Sequence, residues 1–346
     1  METVLDTTNG TDVFLREDWV VVVQTMVLTV TTVFVIVGNI LCFLVLLKSE
    51  DTNEVTRLCM LFLTATDTGI GFLICIPVTG ATAADRWPYG DTFCMVVAVG
   101  TILLSLSSIF VVVVNVERFI AIVWPLRSVT YVTIPRVRVV LCSVWVLGAA
   151  FAAVYCFLPN RSAVYHPHFH TCFVDPDDPN EQDSIGVMAA WVFGIVPFLI
   201  TLLLYARLYQ IARRHARQIN VLEGAQNRHV IKKSDLKTAT TFFIITAVLA
   251  LSWIPFAVVI CYEGVTRQTS HPAAPFISEI LLLSNSYWNI VIYSIRNVKF
   301  RRSGIRLVQN CFRRGRDGRS RNNEIEASRI IESPTFKQNV MLTRHL

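Results

Sequence analysis

The stretch Trp19–Leu47, WVVVVQTMVLTVTTVFVIVGNILCFLVLL, runs for 29 residues without an Asp, Glu, Lys or Arg. A bilayer core about 30 Å thick is crossed by about 20 apolar residues in helical form, so this segment is long enough to span one. Its Val and Thr content would argue for strands in water. In lipid, every backbone N–H and C=O must be satisfied within the segment, and an uncharged run of this length becomes a helix. The residues before it are acidic rather than basic and the run is too long for a cleaved signal peptide, which predicts a retained span.

Six further windows repeat the pattern: Leu58–Ala84, Thr92–Val116, Val139–Pro159, Ser184–Ala206, Thr238–Tyr262 and Gln268–Ile295. Asp67 and Glu279 are the only charged residues in all seven. Across the chain only 16% of residues are charged, against roughly 25% in soluble domains. The predicted fold is an all-α membrane protein, a bundle of seven transmembrane helices. No internal repeat is visible.

Basic residues concentrate on the cytoplasmic side of membrane proteins. With the amino terminus outside, only Arg16, Arg86, Arg161 and Arg267 face outward, and the other 27 of 31 Lys and Arg lie inside. The carboxyl terminus is then cytoplasmic. Two N-x-S/T acceptors, at Asn9 and Asn160, fall in segments that this topology exposes to the outside. The net charge of +6 is no sign of nucleic-acid binding, because the basic residues flank membrane ends, as at Arg213, Arg214 and Arg217 or Arg301, Arg302 and Arg306. Such clusters set topology, attract anionic inner-leaflet lipid and suit a cytoplasmic protein partner.

Nine cysteines cannot all pair internally. Cys42, Cys59, Cys75, Cys142, Cys156 and Cys261 lie in or beside apolar spans and read as small hydrophobes. Cys94, at the outer end of the third span, and Cys172, between the fourth and fifth, both face an oxidising compartment where a disulfide persists. Cys311 follows a basic segment just inside the membrane and is a candidate for S-palmitoylation, with an ordinary free thiol as the other reading. The tail beyond about Gly315 is polar, with Ser320, Ser328, Ser333 and Thr335, and reads as disordered and open to phosphorylation.

Polar groups within spans are expensive and point to function. Asp67 lies mid-membrane on the second span, with Asn39, Ser107, Asn285 and Asn289 at similar depths on the first, third and seventh. Oxygen ligands around one carboxylate suit a hard cation or a hydrated hydrogen-bond network. Interhelical hydrogen bonds with packing value alone are the competing reading.

These residues, taken in order over roughly Gly38 to Phe300, resemble the rhodopsin-like family of G-protein-coupled receptors. Gly38-Asn39 resembles the signature of the first span and Leu63-x-x-x-Asp67 that of the second. Trp87-Pro88-Tyr89-Gly90 before Cys94 is similar to the first extracellular loop. Glu117-Arg118-Phe119, with Pro125-Leu126 beyond it, resembles Asp-Arg-Tyr and the second inner loop. Trp145, then Pro197 with Tyr205, match the fourth and fifth spans. Ser252-Trp253-Ile254-Pro255 resembles Cys-Trp-x-Pro, and Asn289-Ile290-Val291-Ile292-Tyr293 resembles Asn-Pro-x-x-Tyr, followed by Phe300 at the start of an amphipathic eighth helix. The domain plan implied is an extracellular tail over 1–18, a seven-span domain over 19–297, the amphipathic helix over 298–312 and a cytoplasmic tail over 313–346.

The resemblance implies roles. Arg118 would contact the G protein when the sixth helix swings outward, and at rest would pair with Glu117 and Asp235, a restraint between elements of the kind a switch needs. Trp253 would relay ligand-induced movement, and Tyr205 and Tyr293 would stabilise the active arrangement. Asp67, Ser107, Asn285 and Asn289, with Trp253, match the family's sodium pocket, which favours the inactive state; apart from such an allosteric Na⁺, no cofactor is expected. The sequence also departs from the pattern. Ile290 stands in place of the motif proline, Leu249 in place of phenylalanine, and the Cys94–Arg118 interval is one residue shorter than usual.

The ligand is less constrained. Met95 to Val116 contains no acid, which removes the amine-receptor anchor, and the seventh span has no lysine for a retinal Schiff base. Glu279 is the ionisable acid at binding depth, with Thr101, Trp253 and Tyr262 as companions in a ligand site; hydrogen bonding to Thr101, Tyr262 or His271 is its structural alternative. The outer segments carry thirteen acids against four arginines, which attracts cationic ligands, including basic peptides. His166, His168 and His170, if on one strand face, would offer imidazoles to Zn²⁺, though such loops are ordinarily just solvated. The expected function is a plasma-membrane receptor, not an enzyme, that passes binding of a peptide or small cationic ligand to heterotrimeric G proteins, with arrestin and receptor kinase as further partners. The alternatives are a non-signalling decoy or scaffold, and a transporter, which would show inverted halves or paired interrupted spans.

Overall fold

A computed structural model describes residues 18–48, 53–156, 158–178, 192, 195–222, 233–266, 268–296, 300–307 and 309. The first span is one helix, α1 (Asp18–Lys48). Its buried residues Leu28, Thr32, Val35, Asn39, Cys42 and Leu46 recur every three or four positions, one stripe facing the bundle. The opposite face leaves Val22, Met26, Val33, Phe34, Val37 and Leu44 exposed, as a lipid-facing surface requires. The many threonines do not disturb the helices, because their hydroxyls donate one turn back. Thr31 donates to Val27 O at 2.9 Å and Thr66 to Phe62 O at 2.9 Å.

The second span contains α2 (Glu54–Ile70), a π-helical turn at Gly71–Cys75 and α3 (Ile76–Ala84). Pro77 explains the turn. Its ring clashes with the carbonyl four residues back, and the wider turn, in which Ile76 N–H donates to Gly71 O, relieves this. The third span is α4 (Asp91–Gly100) and α5 (Ile102–Val123), joined at Thr101. There the backbone tightens: Thr101 N–H reaches both Val97 O (3.1 Å) and Ala98 O (3.3 Å), and Leu104 N–H bonds Thr101 O three residues back at 3.0 Å. A tighter turn rises about 2.0 Å per residue instead of 1.5 Å, which offsets part of the residue missing between Cys94 and Arg118.

A short helix, α6 (Pro125–Tyr131), leads to the fourth span, α7 (Ile134–Cys156). The fifth, sixth and seventh spans are α8 (Val196–Leu222), α9 (Lys233–Thr266) and α10 (Ala273–Arg296). Both α8 and α9 run past the uncharged windows, since loss of apolar residues marks the membrane edge and not the end of a helix. Among the described residues, five helices are long and apolar enough to cross a membrane, and Val196–Ile211 is a shorter apolar stretch. α10 is 24 residues long and buries Ser278, Glu279, Asn285 and Asn289. With Ile290 in place of proline, it continues unbroken to Arg296. Residues 300–307 and 309 are helical and lie in the expected eighth helix.

The core lies where the second, third and seventh spans meet, around Leu63, Ile70, Phe110, Val114, Leu283 and Ile292. Gly148 lets the fourth span approach the third, since a Cβ there would meet Leu106 Cδ2 at 2.5 Å. At the end where the chain begins, β1 (Arg161–His166) pairs antiparallel with β2 (Thr171–Pro176), Tyr165 opposite Cys172. This hairpin is a β element within an otherwise helical fold. The disulfide Cys94–Cys172, with Cα atoms 5.4 Å apart, fastens it to α4. Its turn reaches over the bundle: the Phe169 ring lies 5.8 Å from Phe256 on α9, and His170 Nε2 lies 3.2 Å from Gln24 Oε1 on α1.

The hairpin also corrects the zinc reading. His166 ends β1 with Nε2 2.6 Å from Asp175 Oδ2, His168 is in the turn, and His170 takes φ 54° and is buried. The three do not share a strand face. Among the described residues no group of three or more His, Cys, Asp or Glu is placed to hold a metal ion.

Candidate functional site

Three layers of polar residues are stacked along the bundle. At the inner end, Glu117 and Arg118 lie within α5, which does not stop at Arg118 but runs on to Val123. Glu117 is buried, with Oε2 3.3 Å from Arg118 Nε and Oε1 accepting from Thr56 Oγ1 at 3.0 Å. The Arg118 contact is an ion pair without a well-directed hydrogen bond at Oε2. The Arg118 side chain stays 36% exposed, within reach of a partner. Phe119 packs against Leu208 of α8, as Tyr205 does, so the motif's third residue joins the third span to the fifth. Asp235 falls within α9 and Tyr293 within α10, but their side chains lie outside the described residues, as do Asn9 and Cys311.

The middle layer is centred on Asp67, which is fully buried. Its Oδ1 accepts from Ser107 Oγ at 2.6 Å and its Oδ2 from Asn289 Nδ2 at 3.4 Å. Asn289 Nδ2 also reaches Asn285 O at 3.4 Å, and Asn39 Nδ2 donates to Ser286 O at 3.1 Å. Four spans thus share one network. Asn39 Oδ1, both polar atoms of Asn115 and Trp253 Nε1 are buried without a hydrogen-bond partner among the described residues; such atoms are ordinarily satisfied by water. A carboxylate, a hydroxyl and spare amide oxygens suit a hard cation, so the residues present fit Na⁺. Asn289 would have to turn its amide over to ligate it, since a donor N–H cannot. Trp253 is buried beside Leu249 and Leu282 and against Phe256, so Leu249 takes part in the same packing.

The outer layer holds Glu279 and Thr101. Glu279 is 4% exposed and its Oε2 accepts no hydrogen bond among the described residues. None of the three expected neighbours supplies one. Thr101 Oγ1 donates to Ala98 O at 2.7 Å, His271 Nδ1 accepts from Ala273 N–H at 3.3 Å, and Tyr262 is 45% exposed. Intramembrane acids ordinarily face the bundle interior or a water-filled cavity and mark functional sites. Asn160 is exposed, in the turn before β1.

Sequence reasoning missed Thr56. It is fully buried in the first turn of α2, 61 positions from Glu117, and belongs to no quoted motif. A buried threonine in a helix ordinarily donates to its own helix, so nothing in the local sequence marks this one as different. The hairpin's reach to α1 and α9 was equally silent.

The 7 transmembrane receptor (rhodopsin family) description matches residues 38–293. The match covers well over half of the chain, and the protein belongs to that family. Similar proteins include the adenosine receptor A2a of Cavia porcellus, 28% identical over 83% of this chain and 73% of the relative. The melatonin receptor type 1B of Homo sapiens is 25% identical over 85% and 80%. The QRFP-like peptide receptor of Branchiostoma floridae is 26% identical over 81% and 78%. These relatives are receptors and not enzymes.

Proposed function

We propose that this receptor sits in the plasma membrane with its amino terminus outside and passes the binding of an extracellular ligand to heterotrimeric G proteins. The observation that carries the reading is Arg118: a partly exposed side chain at the inner end of the third span, whose one ion pair among the described residues is with the adjacent Glu117 at 3.3 Å. An ion pair between neighbours on one helix is easily given up for a better acceptor, as a switch requires. Arrestin and receptor kinase would follow at the same face and on the tail.

The ligand is a peptide or small molecule with a cationic group. Support comes from the buried Glu279, one oxygen of which has no hydrogen-bond partner among the described residues, and from the acidic outer segments. Relatives named for adenosine, melatonin and a peptide span the same range of sizes.

The test is guanine-nucleotide exchange on purified heterotrimers with the receptor in lipid nanodiscs. Exchange above the receptor-free rate, lost in Arg118→Ala and raised in Asp235→Ala, supports coupling. No exchange with any G-protein class would leave the non-signalling decoy as the better account.

A further inference from the structure

At the inner end, α1, α10 and the helix at 300–307 enclose a hollow of about 390 Å³, within the roughly 300–1,000 Å³ typical of ligand pockets. Its origin is legible in the side chains. Phe300 and Leu307 anchor the helix by packing into a cluster with Cys42, Val45, Leu46 and Met60. Between them on the same stripe stands Gly304, where a Cβ would lie 3.7 Å from Val45 Cγ2. A larger residue would fill the space, and glycine leaves it open. Across the hollow, Gly38 admits Ile290, whose Cδ1 would lie 3.0 Å from a Cβ on Gly38. The isoleucine that replaces the motif proline therefore forms one wall.

The open side faces the bilayer, since Leu41 on α1 and Ile305 line it and are 41% and 51% exposed. Arg301 also lines it and is exposed. Arg302 and Arg306 follow on the same helix, and Lys48 ends α1. Among the described residues none of these four forms an ion pair. An apolar slot with a free guanidinium at its mouth matches a hydrocarbon tail joined to an anionic head.

We propose that this hollow binds one anionic phospholipid of the inner leaflet, an acyl chain lying between Gly38, Ile290 and Gly304 and the net-negative headgroup on Arg301. Loose attraction to the basic segment would treat Arg301, Arg302 and Arg306 alike. A site distinguishes Arg301, which alone of the three lines the hollow.

The full chain, purified in mild detergent, is offered phosphatidylserine and phosphatidylcholine with identical acyl chains, and retained lipid is counted by native mass spectrometry. One phosphatidylserine should be kept per chain, preferred about fivefold, the contribution of a single cation beside anionic lipid. Arg301→Ala should erase the preference, and Arg302→Ala should leave it close to wild type. Gly304→Leu should reduce retention of both lipids. Its melting temperature is measured first, and if it does not fold the arginine pair decides alone. Equal retention of the two lipids, equal losses at Arg301 and Arg302, or full retention in folded Gly304→Leu would each overturn the site. So would occupancy by an acyl group that survives denaturation on Cys311, or by a second copy of the chain.

Discussion

Replacing Thr56 by valine keeps the shape of a fully buried side chain and removes the hydroxyl that donates to Glu117 Oε1 at 3.0 Å. A hydrogen bond to a charged acceptor contributes about 1.5–3 kcal/mol. Glu117 would keep Arg118, but in a contact at 3.3 Å without directed hydrogen bonding at Oε2. If the Thr56 bond exists only in the resting arrangement, its loss shifts the resting–active equilibrium by the same energy, about tenfold at the lower bound. A receptor about 1% active at rest would then be about 10% active without ligand. The assay is basal nucleotide exchange at matched surface expression, with Thr56→Ser as the control that retains the hydroxyl. The expected order is Thr56→Val above Thr56→Ser, with the latter equal to wild type. Unchanged basal exchange in Thr56→Val, alongside a rise in Glu117→Gln, would refute the restraint and leave Thr56 a packing role.

Three further outcomes are expected. Asp67→Asn should abolish any effect of Na⁺ on agonist affinity at constant ionic strength; absence of a Na⁺ effect in the wild type would make the Asp67 network purely structural. Cys94→Ser should cut surface expression or ligand binding several-fold, because the hairpin is tied to α4 by that bond, and equal expression and binding in the two forms would contradict this. Glu279→Gln should weaken a cationic agonist by roughly 10- to 100-fold, as for about 1.5–3 kcal/mol from a charged hydrogen bond, with expression preserved. Equal potency on both forms would remove Glu279 from the ligand site.

The sequence alone determined which segments are spans, because the bilayer imposes its demand locally. Every backbone polar group must be satisfied inside the segment, so an uncharged window such as Trp19–Leu47 becomes a helix whatever its neighbours do. The same locality made Glu117 beside Arg118 legible, since adjacent residues need no fold to bring them together. Asp67, Ser107 and Asn289 could be grouped only through the family pattern, their contacts spanning 40 and 222 positions. Other features had no local signature, and only the packed structure decided them. Thr56 meets Glu117 because the second and third spans cross at their inner ends. The turn of the hairpin meets α1 and α9 because the disulfide holds it over the bundle. Ile290 reads in sequence as a lost kink, yet between helices it becomes a wall, because Gly38 opposite leaves room for its side chain. Contacts between distant segments depend on helix rotation and separation, which side chains on several elements set jointly, and no single stretch of sequence contains that information.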